Sequence, residues 1–111
     1  MSCSLHIIRQ AGDGSDIPIT LEEWNACIAS DPEFKRPEPG HLNYSKNLVL
    51  LPDDSEDPDM WQWIKWGGGT ISSDYPQQPM LKKMGRMARH LGAVLMSDDG
   101  DIWSIDENGR V

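Results

Sequence analysis

Carboxylates, histidines and serines are the residues of this chain that could do chemistry, and their spacing decides which chemistry is open to them. Asp98, Asp99 and Asp101 surround Gly100. These are the residue types of a cation loop, but the run lacks the alternating ligands and the terminal glutamate of an EF-hand. A tight Asp-Gly hairpin turn uses the same letters. His6, His41 and His90 fall on three separate predicted elements without HExxH spacing, so no zinc site is spelled out. The serines lack the GxSxG context that exposes a nucleophile on a strained turn. Gly67, Gly68 and Gly69 lead into a strand and not into a helix N-terminus, and no Lys-Ser/Thr follows them; they read as a turn or bulge. Cys3 and Cys27 show no CxxC spacing and are expected to be free structural thiols. No catalytic residue, metal or cofactor is expected, and the chain reads as a non-enzyme.

Binding chemistry is better represented. The stretch 51–66, LPDDSEDPDMWQWIKW, sets the most acidic part of the chain beside its most aromatic part. On a strand, Trp61, Trp63 and Lys65 would project to one face, and Met60, Gln62, Ile64 and Trp66 to the other. A sheet covered by helices on one side buries only one of these rows. The other row is then free to act as an aromatic anchor, with the neighbouring acids as a steering rim. Asp53, Asp54, Glu56, Asp57, Asp59, Trp61, Trp63 and Trp66 are therefore the candidate partner-binding residues. A solvated acidic loop next to a buried strand would account for the same letters.

The elements that must position these residues follow from periodicity and punctuation. A chain of 111 residues fits one domain. Its net charge of −8 repels nucleic-acid phosphates and anionic membranes and favours basic partners. The opening MSCSLHIIRQ has neither a basic start nor a signal-length apolar run, and no 18 apolar residues run together, so a cytoplasmic location is expected. Residues 4–9 read as a strand. A helix over 21–31 follows, with Thr20 as N-cap and Glu23 completing a capping box. Leu21, Trp24 and Ile28 form its apolar face, and Pro32 ends it. Residues 31–47 carry Pro32, Pro37, Pro39 and Gly40 and read as a long loop. Short strands are expected over 47–51, 60–66 and 70–73.

A second helix is predicted over 79–91, with Gly92 as its stop. Met80 or Leu81, Met84, Met87, Ala88 and Leu91 supply its apolar stripe. Lys82, Lys83, Arg86 and Arg89 line the rest, facing solvent or pairing with the protein's own carboxylates. Residues 93–97 and 101–105 read as a hairpin. Together these elements give an α+β fold, an antiparallel sheet of five to six short strands with two helices packed on one face.

The segments PITLEEWNACIASDPEF and LGAVLMSDDGDIWSIDENG resemble those of small, mostly uncharacterised bacterial proteins encoded as stand-alone domains, some of which resemble immunity proteins of secreted polymorphic toxins. The likeness is confined to the two ends of the chain and its motifs are helix-cap and hairpin signals, so it carries over no functional residue. It implies a compact, acidic, cytoplasmic protein that neutralises a basic toxin or effector domain by occluding its surface. The alternatives are a small enzyme or ligand-binding domain with an unrecognised pocket, or an assembly subunit. Cysteine and histidine are too few and too dispersed to close a ligand set on which folding would depend. Thermal melts with and without EDTA are accordingly expected to coincide; a large fall in Tm with chelator would mark the aspartates around Gly100 as a cation loop.

Overall fold

The chain's first strand lies in the interior of its sheet. In the computed structural model, which describes residues 4–37, 39–40, 47–52, 56–57, 61–74 and 78–103, six strands form one sheet. They are β1 (Leu5–Ile8), β2 (Leu48–Leu51), β3 (Gln62–Gly67), β4 (Thr70–Ser73), β5 (Val94–Ser97) and β6 (Ile102–Trp103), in the spatial order β2-β3-β4-β1-β5-β6. Every pairing is antiparallel. Helices α1 (Leu21–Ala29) and α2 (Gln78–Leu91) complete an α+β arrangement, as the sequence leads one to expect.

Register shows where the core sits. Ile7 stands opposite both Ile71 and Leu95, Ile71 opposite Trp66, and Val49 opposite Ile64. Cross-strand partners share a face, so these residues, with Leu5 and Leu51, line one side of the sheet. The same cluster takes in Trp24 and Cys27 from α1 and Met80, Met84, Met87, Ala88 and Leu91 from α2. Both helices therefore cover this one face.

Local chemistry sets the element ends. The Thr20 hydroxyl accepts from the Glu23 N–H at 3.1 Å, and the Glu23 carboxylate accepts from the Thr20 N–H at 3.1 Å, which closes the capping box. α1 ends at Ala29, two residues before the expected 31: Ser30 is its C-cap, with its N–H on the Ala26 carbonyl at 3.1 Å and its hydroxyl on that of Cys27 at 2.9 Å, and Pro32 keeps Asp31 from extending it. α2 closes on Gly92 at φ +65°, where the Ala93 N–H reaches the Ala88 carbonyl at 2.8 Å and the Gly92 N–H reaches that of Arg89 at 3.4 Å. These are the two bonds of a Schellman cap. Gly68 and Gly69, at φ +60° and +87°, make the two-residue turn between β3 and β4. Ser97 and Asp101 close the β5–β6 hairpin through a 2.9 Å backbone bond around Gly100. That hairpin's expected continuation over 104–105 lies outside the described residues, as do Cys3 and His41.

One part of the expected loop has more order than its prolines suggest. Lys35 and Leu50 exchange backbone hydrogen bonds of 2.8 and 2.7 Å, and Phe34 is buried in the core. The segment after α1 thus adds one bridge to the β2 edge.

Arg9, just past β1, ties these parts together. Its Nη1 and Nη2 donate to Glu23 at 2.6 and 2.7 Å, Nη2 also donates to the Pro18 carbonyl at 2.8 Å, and Nη1 to the Leu91 carbonyl at 3.4 Å. The Pro18–Ile19 strap in turn lies on the β3–β4 turn: the Ile19 N–H donates to the Gly69 carbonyl at 2.9 Å, and the Trp66 indole N–H donates to the Ile19 carbonyl at 2.7 Å.

Two outcomes follow for stability. The Arg9 hydrogen bonds, followed by that from the Thr20 backbone, hold the Glu23 carboxyl down at about 2. A depressed carboxyl contributes stability that is complete above its unfolded value, about 4.3, and is lost as pH falls toward the folded value. Glu23→Gln is expected to be less stable than the parent near neutral pH, with the gap closing between about pH 4.5 and 2 in urea titrations; a gap constant with pH would remove Glu23 from the acid response. At Gly92 a methyl group would meet nothing within 4 Å, whereas at Gly69 it would lie 2.8 Å from Pro18 Cβ. Both positions need left-handed backbone, which costs a non-glycine residue about 1–2 kcal/mol. Gly69→Ala should therefore lower the urea midpoint further than Gly92→Ala.

Candidate functional site

With both helices on one side, the opposite side of the sheet presents a row of side chains of its own. A row of cross-strand partners crosses all six strands on that side: Leu48, Lys65, Ser72, His6, Met96 and Ile102. At a strand spacing of about 4.8 Å the row is about 24 Å long. Its two ends differ. At the β2 edge Leu48 and Leu50 are buried although they stand apart from the helix-side core. At the β6 edge Ile102 is 63% exposed. Ile8 and Val94 flank the row on one side and are half-buried. On the other side, Leu50 stands opposite Trp63, while Ser4 donates a hydrogen bond to Asp74.

The tryptophans divide as strand alternation requires. Trp63 is half-buried on the helix-free face, where the Lys65 ammonium sits 5.2 Å from its ring centroid, within cation–π range. Trp66 is on the helix side, packed against the core and held by its bond to the Ile19 carbonyl. It therefore does not share a surface with Trp63. β3 begins at Gln62, two residues later than expected, and Trp61 precedes it, half-buried. Glu56 and Asp57 are exposed. Asp53, Asp54 and Asp59 lie outside the described residues.

Sequence reasoning missed the polar group at the middle of the row. His6 Nδ1 is 2.7 Å from the Ser72 hydroxyl, and its Nε2 meets the Asp98 carboxylate. An ionised carboxylate only accepts, so Nε2 carries a proton; in the neutral imidazole Nδ1 then accepts from the Ser72 O–H. The chain order His6, Ser72, Asp98 matches no linear motif. Strand pairing brings together residues 66 and 92 positions apart.

A separate groove of about 430 Å³ runs between α1 and α2, lined in part by Cys27, Asp31, Glu33, Lys83, Arg86 and His90. Lys83 is only 7% exposed, paired with Asp31 at 2.6 Å and Glu33 at 3.1 Å, and lies 5.2 Å from the Phe34 centroid. Of the two roles open to the cationic side of α2, Lys83 takes the pairing one. Burial, then the Glu23 charge, pushes the Cys27 thiol up, which leaves it a poor nucleophile. These groups pin α2 to the segment after α1, and the groove's buried cation is already neutralised.

Among the described residues no cluster of three or more His, Cys, Asp or Glu could hold a metal ion, and no helix is long and apolar enough to cross a membrane. Compared with protein-family models, curated proteins and solved structures, the chain matches none.

Proposed function

We propose that the chain is a protein-binding module, an immunity-type inhibitor that uses the helix-free face of its sheet to occlude a basic toxin or effector domain in the cytoplasm. The observation that carries this reading is the one-sided placement of the helices. It leaves Trp63, Met96 and Ile102 on one and the same face, together with Asp74 and, through His6, Asp98, and with Glu56 and Asp57 exposed ahead of β3. An apolar centre with an acidic border suits a partner whose own surface is basic, and the chain's net charge of −8 adds long-range attraction of the same sign. Occlusion of this kind needs no catalytic residue. Trp66, committed to the helix side, drops out of the proposed contact set, and Trp63 becomes its aromatic anchor.

The test is capture of the native partner, followed by binding kinetics with purified proteins. The captured protein is expected to be basic. Trp63→Ala should speed dissociation and weaken binding about 30-fold, roughly 2 kcal/mol, with folding intact. Joint neutralisation of Asp53, Asp54, Glu56, Asp57 and Asp59 should instead slow association and flatten its salt dependence, since rim charges act over roughly 8–10 Å. As a folding control, Ile64→Ala in the core should cost about 2–5 kcal/mol of stability. Unchanged association and dissociation in both surface variants would place the interface elsewhere.

A further inference from the structure

The Ser72, His6 and Asp98 group goes beyond docking, which would make no use of its proton arrangement. Among serines the structure describes, Ser73 offers a contrast. It is fully buried and donates its hydroxyl to the Trp63 carbonyl at 2.6 Å, so its oxygen is turned inward and spent. Ser72, the next residue back, faces the helix-free side half-buried, with its hydroxyl on a histidine nitrogen. His6 and Asp98 have side-chain exposures of 27% and 32%, partly shielded from water yet within reach of a small molecule. Lys65 is the cross-strand partner of Ser72 on the same face, with its ammonium over the Trp63 ring.

We infer that Ser72 is an activated nucleophile toward small acyl esters, with His6 as its general base and Asp98 as the residue that fixes the histidine tautomer. The geometry meets the two structural requirements of such a relay, a nucleophile-to-base hydrogen bond and a base oriented by a third group. In the first half-reaction Ser72 Oγ bonds to the ester carbonyl carbon while its proton passes to His6 Nδ1. The ester C–O bond then breaks, and His6 returns the proton to the departing alkoxide. In the second half-reaction water attacks the acyl-serine by the same route, releasing the carboxylic acid and restoring the Ser72 hydroxyl. Met96 and Ile8, flanking His6 across and along the strands, give the acyl chain an apolar bed.

A fluorophosphonate probe tests this on the whole chain without any protein partner, so the result stands apart from that of the docking experiment. The Ser72 oxygen would displace fluoride from phosphorus and leave a stable adduct, located by peptide fragmentation. Labelling is expected at Ser72 and not at Ser73, at a rate at least about 100-fold above that of Ser72 in the urea-unfolded chain, the lower end of what general-base assistance supplies. His6→Gln should remove that advantage and Asp98→Asn should reduce it, with p-nitrophenyl acetate hydrolysis falling in parallel. The inference is overturned if native Ser72 reacts no faster than unfolded Ser72, a comparison that needs no variant to fold. Equal labelling of Ser72 in folded His6→Gln would also overturn it.

Discussion

The fold depends on the grip of Arg9 on Glu23. Arg9 follows β1, the strand buried between β4 and β5, so its guanidinium is anchored near the middle of the sheet. From there it holds the N-terminal turn of α1 through Glu23, the strap over the β3–β4 turn through Pro18, and the end of α2 through Leu91. One planar cation thereby fixes both helices relative to the strands, which a lysine's single ammonium could not do with the same geometry. The arrangement has a cost. Arg9 Nε is buried without a hydrogen-bond partner among the described residues, worth about 1–3 kcal/mol of lost solvation. The pair therefore contributes more to orientation than to net stability, as is usual for ion pairs partly withdrawn from water.

What that orientation produces is a sheet with unequal faces. Apolar burial is concentrated on the helix side, where Trp24, Ile7, Ile64, Ile71, Met80 and Met84 are wholly enclosed. The Lys83 pairing with Asp31 and Glu33 reinforces this by fastening α2 to the segment beyond α1. Among the described residues no helix lies over the part of the row through Ser72, His6 and Met96, and so polar groups can persist there at a low desolvation penalty. Buried on the helix side, the same histidine and carboxylate would each have needed further partners.

Local signals in the sequence led to local structure. Thr20 and Glu23 spell the capping box, Gly92 the α2 stop, and Asp99 with Gly100 the last hairpin, because each depends on residues a few positions apart. Alternation also separated Trp63 from Trp66 correctly. Its limit is that a period of two assigns sides but not covers, so the docking of the Ile19 strap over Trp66 had no sequence signature. The bridge of Lys35 to Leu50 was hidden in a proline-rich stretch for a similar reason, since it needs only one extended residue beside an open strand edge. Least legible was the His6–Ser72–Asp98 group. Its members are brought together by the central position of β1 and by exact pairing register, and a slip of one residue would turn His6 into the core.

The docking and nucleophile readings meet on the same row, and their physical demands there are compatible only in sequence. A partner seated on Met96 and Ile102 would lie against His6 and exclude small molecules from Ser72. Asp98 would then serve as border charge instead of tautomer anchor. In the uncovered chain water screens the border charges, the Asp98 carboxylate meets His6 Nε2, and the serine oxygen would be open to attack an electrophile. Covering the face lowers the local dielectric and strengthens the His6–Asp98 bond, but it also removes the space an acyl group must occupy. Reactivity at Ser72 is thus a property of the free protein, set by the helix-free face that partner binding would consume.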